Sequence, residues 1–150
     1  MKSTWYAEIN FTMEFQTMAP DGLLMRVPGS NGVDFFQLAI AENQVVLEWN
    51  LGSGIGRIKS GNITVGQWHS VTISRQDIDA TMKIDERPEI RGKSQGLFRG
   101  LDTGSFAYIG SVPDGNNKAF FGCIKKLTVK KDEIDFGMLE SVGVSKCGLH

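Results

Sequence analysis

The stretch Ala7–Thr17 reads AEINFTMEFQT, and its alternation decides the fold class. Ile9, Phe11, Met13 and Phe15 share one parity, while Glu8, Asn10, Thr12, Glu14 and Gln16 share the other. Side chains alternate across a strand, so one face of this segment is apolar and the other polar. VVLEWNL (45–51) repeats the pattern, with Val45, Leu47, Trp49 and Leu51 against Val46, Glu48 and Asn50. HSVTISR (69–75) sets His69, Val71 and Ile73 against Ser70, Thr72 and Ser74. Shorter runs follow in TMKID, SFAYIG, CIKKLTVK and EIDF, and turn signals such as APDG, PGSNG, AENQ, DER and VPDGNN separate them. No pattern predicts a helix longer than about two turns, the best short candidate being FGMLESVGV (136–144). Many short strands, each with one buried face, predict an all-β fold of two packed antiparallel sheets, a β-sandwich.

A chain of 150 residues suits a single domain over 1–150, with a sizeable core. The net charge of −1 gives no global attraction for nucleic acid. No apolar run approaches the roughly 20 residues that cross a bilayer, so direct membrane insertion is not expected. The opening MKSTWYAEINF has no leader pattern and reads as the start of a domain cut from a longer chain, with an added methionine. Cys123 and Cys147 are the only cysteines, and neither CxxC nor a Cys/His cluster suggests zinc. In a reducing compartment they would be independent thiols; a bridge would fasten the C-terminal tail and stabilise by roughly 3 kcal/mol. Two glycosylation sequons, Asn10-Phe-Thr12 and Asn62-Ile-Thr64, favour the secretory route and an extracellular location.

Catalytic chemistry finds little support. His69 sits inside an alternating strand, where a core or cross-strand role fits better than catalysis, and His150 ends the chain. Asp132, Glu133 and Asp135 suggest the acid-lined strand of a sandwich glycosidase, but position 138 is Met where a further acid would extend the spacing. Asp77 and Asp79 fall in a turn, and LGSGIG lacks the helix pattern and Lys-Ser/Thr of a phosphate loop. The chain is therefore expected not to be an enzyme. Lys125, Lys126, Lys130 and Lys131 crowd a short segment. With Leu127 and Val129 inward, Lys126, Thr128 and Lys130 form an outward basic stripe, suited either to a sulfated glycan or to guarding a solvated strand edge.

Taken in order, MEFQTMAPDGLLM, DFFQLAIAENQVVLEWNLGSG, ITVGQWHSVTISR, MKID, FAYIGSVP, FFGCIKKLTV and the closing GVSKC resemble the laminin G-like (LNS) domain of laminins, neurexins and sex-hormone-binding globulin. The resemblance covers nearly the whole chain. It implies a concanavalin A-like jelly roll and a disulfide between Cys123 and Cys147. It also implies an extracellular recognition or adhesion module within a larger matrix or cell-surface protein, binding a protein or glycan through rim loops around Asp34, Gly52–Gly56 and Asn116–Lys118. Family ligands include α-dystroglycan glycans, heparin, integrins and synaptic partners. In one branch a steroid lies between the sheets, which makes a small-hydrophobe carrier the alternative, beside a heparin-type binder through the basic stripe.

Many family members hold one Ca²⁺ on the rim. Carried over, its ligands would be Asp34, the Leu51 carbonyl, the Asn116 carbonyl and a side chain at position 118. That position is Lys118, whose ammonium repels Ca²⁺. Either Lys118 takes the cation's place and pairs with Asp34, or Asn117 supplies the oxygen and Lys118 points to solvent. No cofactor is expected under the first arrangement, and Ca²⁺ enters only under the second.

Overall fold

Apolar–polar alternation in the opening stretch becomes strand β1 (Glu8–Thr17), whose Phe11, Met13 and Phe15 are buried. A computed structural model describes residues 8–29, 34–52, 54–94, 108–111, 119–129 and 132–133. Asn116, Asn117, Lys118, Lys130, Lys131, Cys147 and the short helix candidate at 136–144 lie outside the described residues. The other strands are β2 (Gly22–Pro28), β3 (Phe35–Ala41), β4 (Gln44–Asn50), β5 (Ile55–Asn62), β6 (Trp68–Gln76), β7 (Asp79–Ile84), β8 (Ile90–Lys93), β9 (Tyr108–Ile109), β10 (Gly122–Val129) and β11 (Asp132–Glu133). They form a six-stranded sheet in the order β11-β10-β1-β6-β7-β8 and a five-stranded sheet in the order β5-β4-β3-β2-β9. Strand pairing within both sheets is antiparallel, and the described residues contain no helix.

Tight turns set these registers. Glu42 and Asn43, both at positive φ (50° and 64°), close the β3–β4 hairpin, the twist a two-residue turn needs to match its strands. The inner faces meet in one cluster that includes Phe11, Met13, Phe15, Phe36, Leu38, Leu47, Trp49, Val71, Ile73, Met82 and Leu127. Phe11 of one sheet meets Phe36 of the other edge-on, with ring centroids 6.0 Å apart. Parity also carries Arg75 to the inner face at the end of β6, where it is fully buried. Its Nη1 donates to the Asp77 carbonyl, 2.6 Å away. Burial pulls its pKa down to about 10, with the Asp77 charge acting in the opposite direction.

Strand β10 departs from simple alternation. Lys126 pairs with Glu14 and Ile124 with Phe15, so Lys125 is the extra residue of a bulge. Strict alternation from the buried Leu127 would aim Lys125 at the core. The bulge instead leaves both Lys125 and Lys126 exposed and returns Ile124 to the core.

Candidate functional site

The end of the five-stranded sheet where β3 begins and β4 ends gathers the described rim positions. Phe35 pairs with Asn50, so Asp34 and Leu51, the residues flanking that pair, sit side by side on the rim. Asp34 is 5% exposed, and its carbonyl accepts from Gly29 N–H at 2.7 Å. Leu51 is buried too. Beyond it the Asn50 Oδ1 accepts from Gly52 N–H at 2.7 Å, and positive φ at Gly52 and Gly54 turns the chain into β5.

Ca²⁺ takes roughly 6–8 oxygen ligands. The rim offers the Asp34 carboxylate and the Leu51 carbonyl, and the described residues contain no group of three or more His, Cys, Asp or Glu able to hold a metal. Positions 116–118 lie outside them. Among the described residues the rim thus supplies two of the oxygens such an ion takes.

Next to the rim, the outer face of the same sheet carries two rows in register. Pro28, Phe35, Asn50 and Ile55 form the first, nearest the rim. Ile55 is 47% exposed, a large apolar side chain left in water. Tyr108, Arg26, Gln37, Glu48 and Arg57 form the second, one residue from each strand of the sheet. At about 4.8 Å per strand spacing this row runs for about 19 Å. Its members hold one another in place. Arg26 donates to the Gln37 Oε1 and stacks on Phe35, its guanidinium carbon 4.6 Å from the ring centroid. Arg57 reaches the Glu48 Oε2 with Nε at 3.1 Å and Nη2 at 2.7 Å. Sequence reading passed over these rows, although parity hinted at them. With Phe36, Leu38 and Ile40 buried, Phe35 and Gln37 must face outward.

At the opposite end of the sandwich, β1, β10 and the loop before β6 meet. Met18 N–H donates to the Phe121 carbonyl at 2.8 Å, Gly66 N–H to the Thr17 carbonyl at 2.8 Å, and Gln16 pairs with Trp68. Met18, Val65, Trp68 and Phe121 are exposed around this corner. Lys125 lies over the Trp68 ring, 4.6 Å from its centroid, and 3.8 Å from the Glu14 carboxylate. Its charge is thus partly spent within the fold. Lys126 makes no ion pair among the described residues. Cys123 is disulfide-bonded, and the chain's other cysteine is Cys147.

His69 is buried, and both ring nitrogens are engaged. Nδ1 meets the Asp85 carboxylate at 2.7 Å, while Nε2 lies 3.2 Å from Thr64 N–H and 3.1 Å from its carbonyl. Asp85 also accepts from Ser70 N–H at 2.8 Å. The pair fastens the 63–67 loop and the β7–β8 turn to β6, and leaves no nitrogen free for a substrate. Burial pushes the Asp85 carboxyl up, but hydrogen bonds from His69 and Ser70 and the charges of His69 and Arg87 outweigh it, holding the group below its ordinary 3.8. A carboxylate lowered on folding stabilises above its unfolded pKa, and that contribution is lost as pH falls through 3.8 and below. Urea titrations between about pH 5 and about pH 2 should therefore show a steeper loss of stability for the native protein than for Asp85→Asn. Equal acid limbs would contradict this role.

An antiparallel two-sheet sandwich around an apolar core places the chain among jelly-roll domains. The family model described as Laminin G domain matches residues 15–132, and the chain belongs to that family. Pikachurin of Bos taurus is 30% identical over 142 residues, covering 87% of this chain and 14% of that protein. The basement membrane-specific heparan sulfate proteoglycan core protein of Mus musculus is 29% identical over 153 residues, covering 93% of this chain and 4% of that protein. The chain thus spans a small part of either relative. Domains LG4-5 of the mouse laminin alpha1 chain match with a TM-score of 0.85 at 22% identity, over 97% of this chain and 41% of that one, a likeness of fold.

Proposed function

We propose that the domain is an extracellular recognition module that binds a protein partner through the rim-side outer face of its five-stranded sheet, without a metal. One observation carries the reading: a row in which Pro28, Phe35 and exposed Ile55 are apolar, with Asn50 between the last two, lies beside a row of polar side chains already fixed by mutual contacts. Protein interfaces combine an apolar centre with preformed polar groups, and groups that are already ordered lose less entropy on binding. The partner's surface would offer an apolar side chain for Phe35 and Ile55 and a carboxylate for the surplus cation of the Arg26, Glu48, Arg57 row. Asp34 and Lys118 would close the rim as an ion pair in place of Ca²⁺.

The family and a basement-membrane relative support an extracellular setting. A carrier would need space between the sheets, where Phe11 and Phe36 are in contact. Sulfated glycan is the second reading, favoured by the bulge that exposes Lys125 and Lys126 together.

Labelled domain applied to matrix-secreting epithelial cells distinguishes these readings. Ile55→Asp should weaken binding by about tenfold or more, as for a central interface side chain, while heparinase, EDTA and Lys126→Ala leave it unchanged. Loss of binding on heparinase or Lys126→Ala, with Ile55→Asp silent, would replace the proposal with the glycan reading. Loss on EDTA would restore the metal.

A further inference from the structure

The two sequons occupy unlike places in the fold. Asn10 lies on β1, between β10 and β6, and is half-buried. Its Oδ1 accepts from the Ser74 hydroxyl at 2.7 Å, and Thr12 shares a hydroxyl–hydroxyl bond of 3.2 Å with Thr72. Both polar side chains of that sequon are committed to the neighbouring strand. Asn62 instead ends β5, the outermost strand of its sheet, and is exposed. Ile63 tucks beneath it at 5% exposure, and Thr64 is again exposed. The Asn62 and Thr64 side chains thus face solvent on either side of a buried anchor, and Asn62 makes no side-chain hydrogen bond among the described residues. Thr64 holds His69 through its main chain, which leaves its hydroxyl uninvolved in that contact.

We infer that Asn62 carries an N-linked glycan, that Asn10 does not, and that the glycan caps the open end of β5. The amide nitrogen of Asn62 forms a bond to the anomeric carbon of a lipid-linked oligosaccharide. The bond from that carbon to the lipid diphosphate breaks, and the diphosphate leaves with the electron pair while the amide gives up a proton. The folded chain has room for the product at Asn62. An outermost strand presents unpaired N–H and C=O groups that invite pairing with another sheet, and charged side chains deter it. Arg57 and Lys59 guard the first half of β5; Ser60, Gly61 and Asn62 carry no charge of their own, and the Arg87 guanidinium lies beside Gly61. A glycan at Asn62 shields the end of the strand beyond Arg87. Ile55 lies at the other end of the strand, seven residue steps and about 23 Å away, so the rim face stays open. The inference is independent of the partner, and occupancy can be read whether or not binding is found.

The full chain secreted from cultured human cells should yield a peptide modified at Asn62 and an unmodified peptide at Asn10 by mass spectrometry. The mobility shift on enzymatic deglycosylation should vanish in both Asn62→Gln and Thr64→Ala and persist in Asn10→Gln. An unmodified Asn62, or a glycan on Asn10, overturns the assignment. Sedimentation velocity on Asn62→Gln should show self-association that the glycosylated protein lacks. A monomer at the same concentration overturns the capping role.

Discussion

Replacing Gly122 with alanine is expected to destabilise the domain by about 4 kcal/mol. A Cβ at this position would lie 2.0 Å from the Gln16 carbonyl oxygen and 3.0 Å from the Thr17 Cα, both backbone atoms of the adjoining strand. Gly122 also has φ 155°, which side-chain-bearing residues rarely adopt. Relief requires the end of β10 to move away from β1, losing the Thr17–Gly122 pairing and the neighbouring Met18 to Phe121 hydrogen bond. Each lost backbone bond costs about 1 kcal/mol net, and the strained backbone adds about 1–3 kcal/mol. The melting temperature should fall by roughly 10 °C, at about 2–4 °C per kcal/mol for a domain of this size. A fall of less than about 3 °C would show that the β1–β10 junction yields far more easily than its geometry implies.

Phe36→Ala should cost about 3–5 kcal/mol. The ring is fully buried on β3 and touches Phe11 across the sheet interface, so its removal opens a cavity between the two layers. Urea denaturation should show a lower midpoint with an unchanged m value, the sign of lost stability without a change in the unfolded ensemble. The variant also probes the packing between the sheets. An environment-sensitive apolar dye should bind the cavity variant more strongly than the native protein. Strong dye binding by the native protein would revive the carrier reading, and a cost below about 1 kcal/mol would mean that the two layers collapse around the missing ring.

Local alternation was enough to identify β1, β4, β6 and β7, because each buries apolar side chains on one parity, with Val46 in β4 and Trp68 in β6 the two departures. Other strands depend on distant neighbours. In β2, a register shift between Leu23 and Met25 leaves Leu23, Leu24 and Met25 all buried, so no alternation is visible. In β5, Gly56 is required by Trp49: a Cβ there would lie 2.5 Å from the indole, a constraint invisible within IGRIKSGN. The bulge at Lys125 likewise arises from pairing with Glu14 and Phe15 on β1. His69 could be placed inside a strand from its neighbours, but its Asp85 partner emerges only from the β6–β7 hairpin and the turn that follows.

The candidate site divides in the same way. Asp34 and Leu51 were reached through family resemblance, and their adjacency follows from the Phe35–Asn50 pairing. The two outer rows exist only once the five-stranded sheet is in register. Parity alone shows that Phe35, Glu48, Asn50 and Arg57 face outward, but not that they form continuous lines. Trp68 shows the same limit. Its place before His69 puts it on the polar face of β6, yet only the folded corner brings Lys125 over its ring.

The most direct measurement places a photo-crosslinking amino acid at Lys59, exposed on the outer face of the five-stranded sheet, or at Thr72, exposed on the outer face of the other sheet. Both proteins are bound to matrix-secreting cells in the presence of EDTA and then irradiated. Recognition through the rim-side face predicts a crosslinked partner protein from position 59 and none from position 72, with the crosslink lost in Ile55→Asp. Capture from position 72 alone, or the disappearance of every crosslink in EDTA, would contradict it.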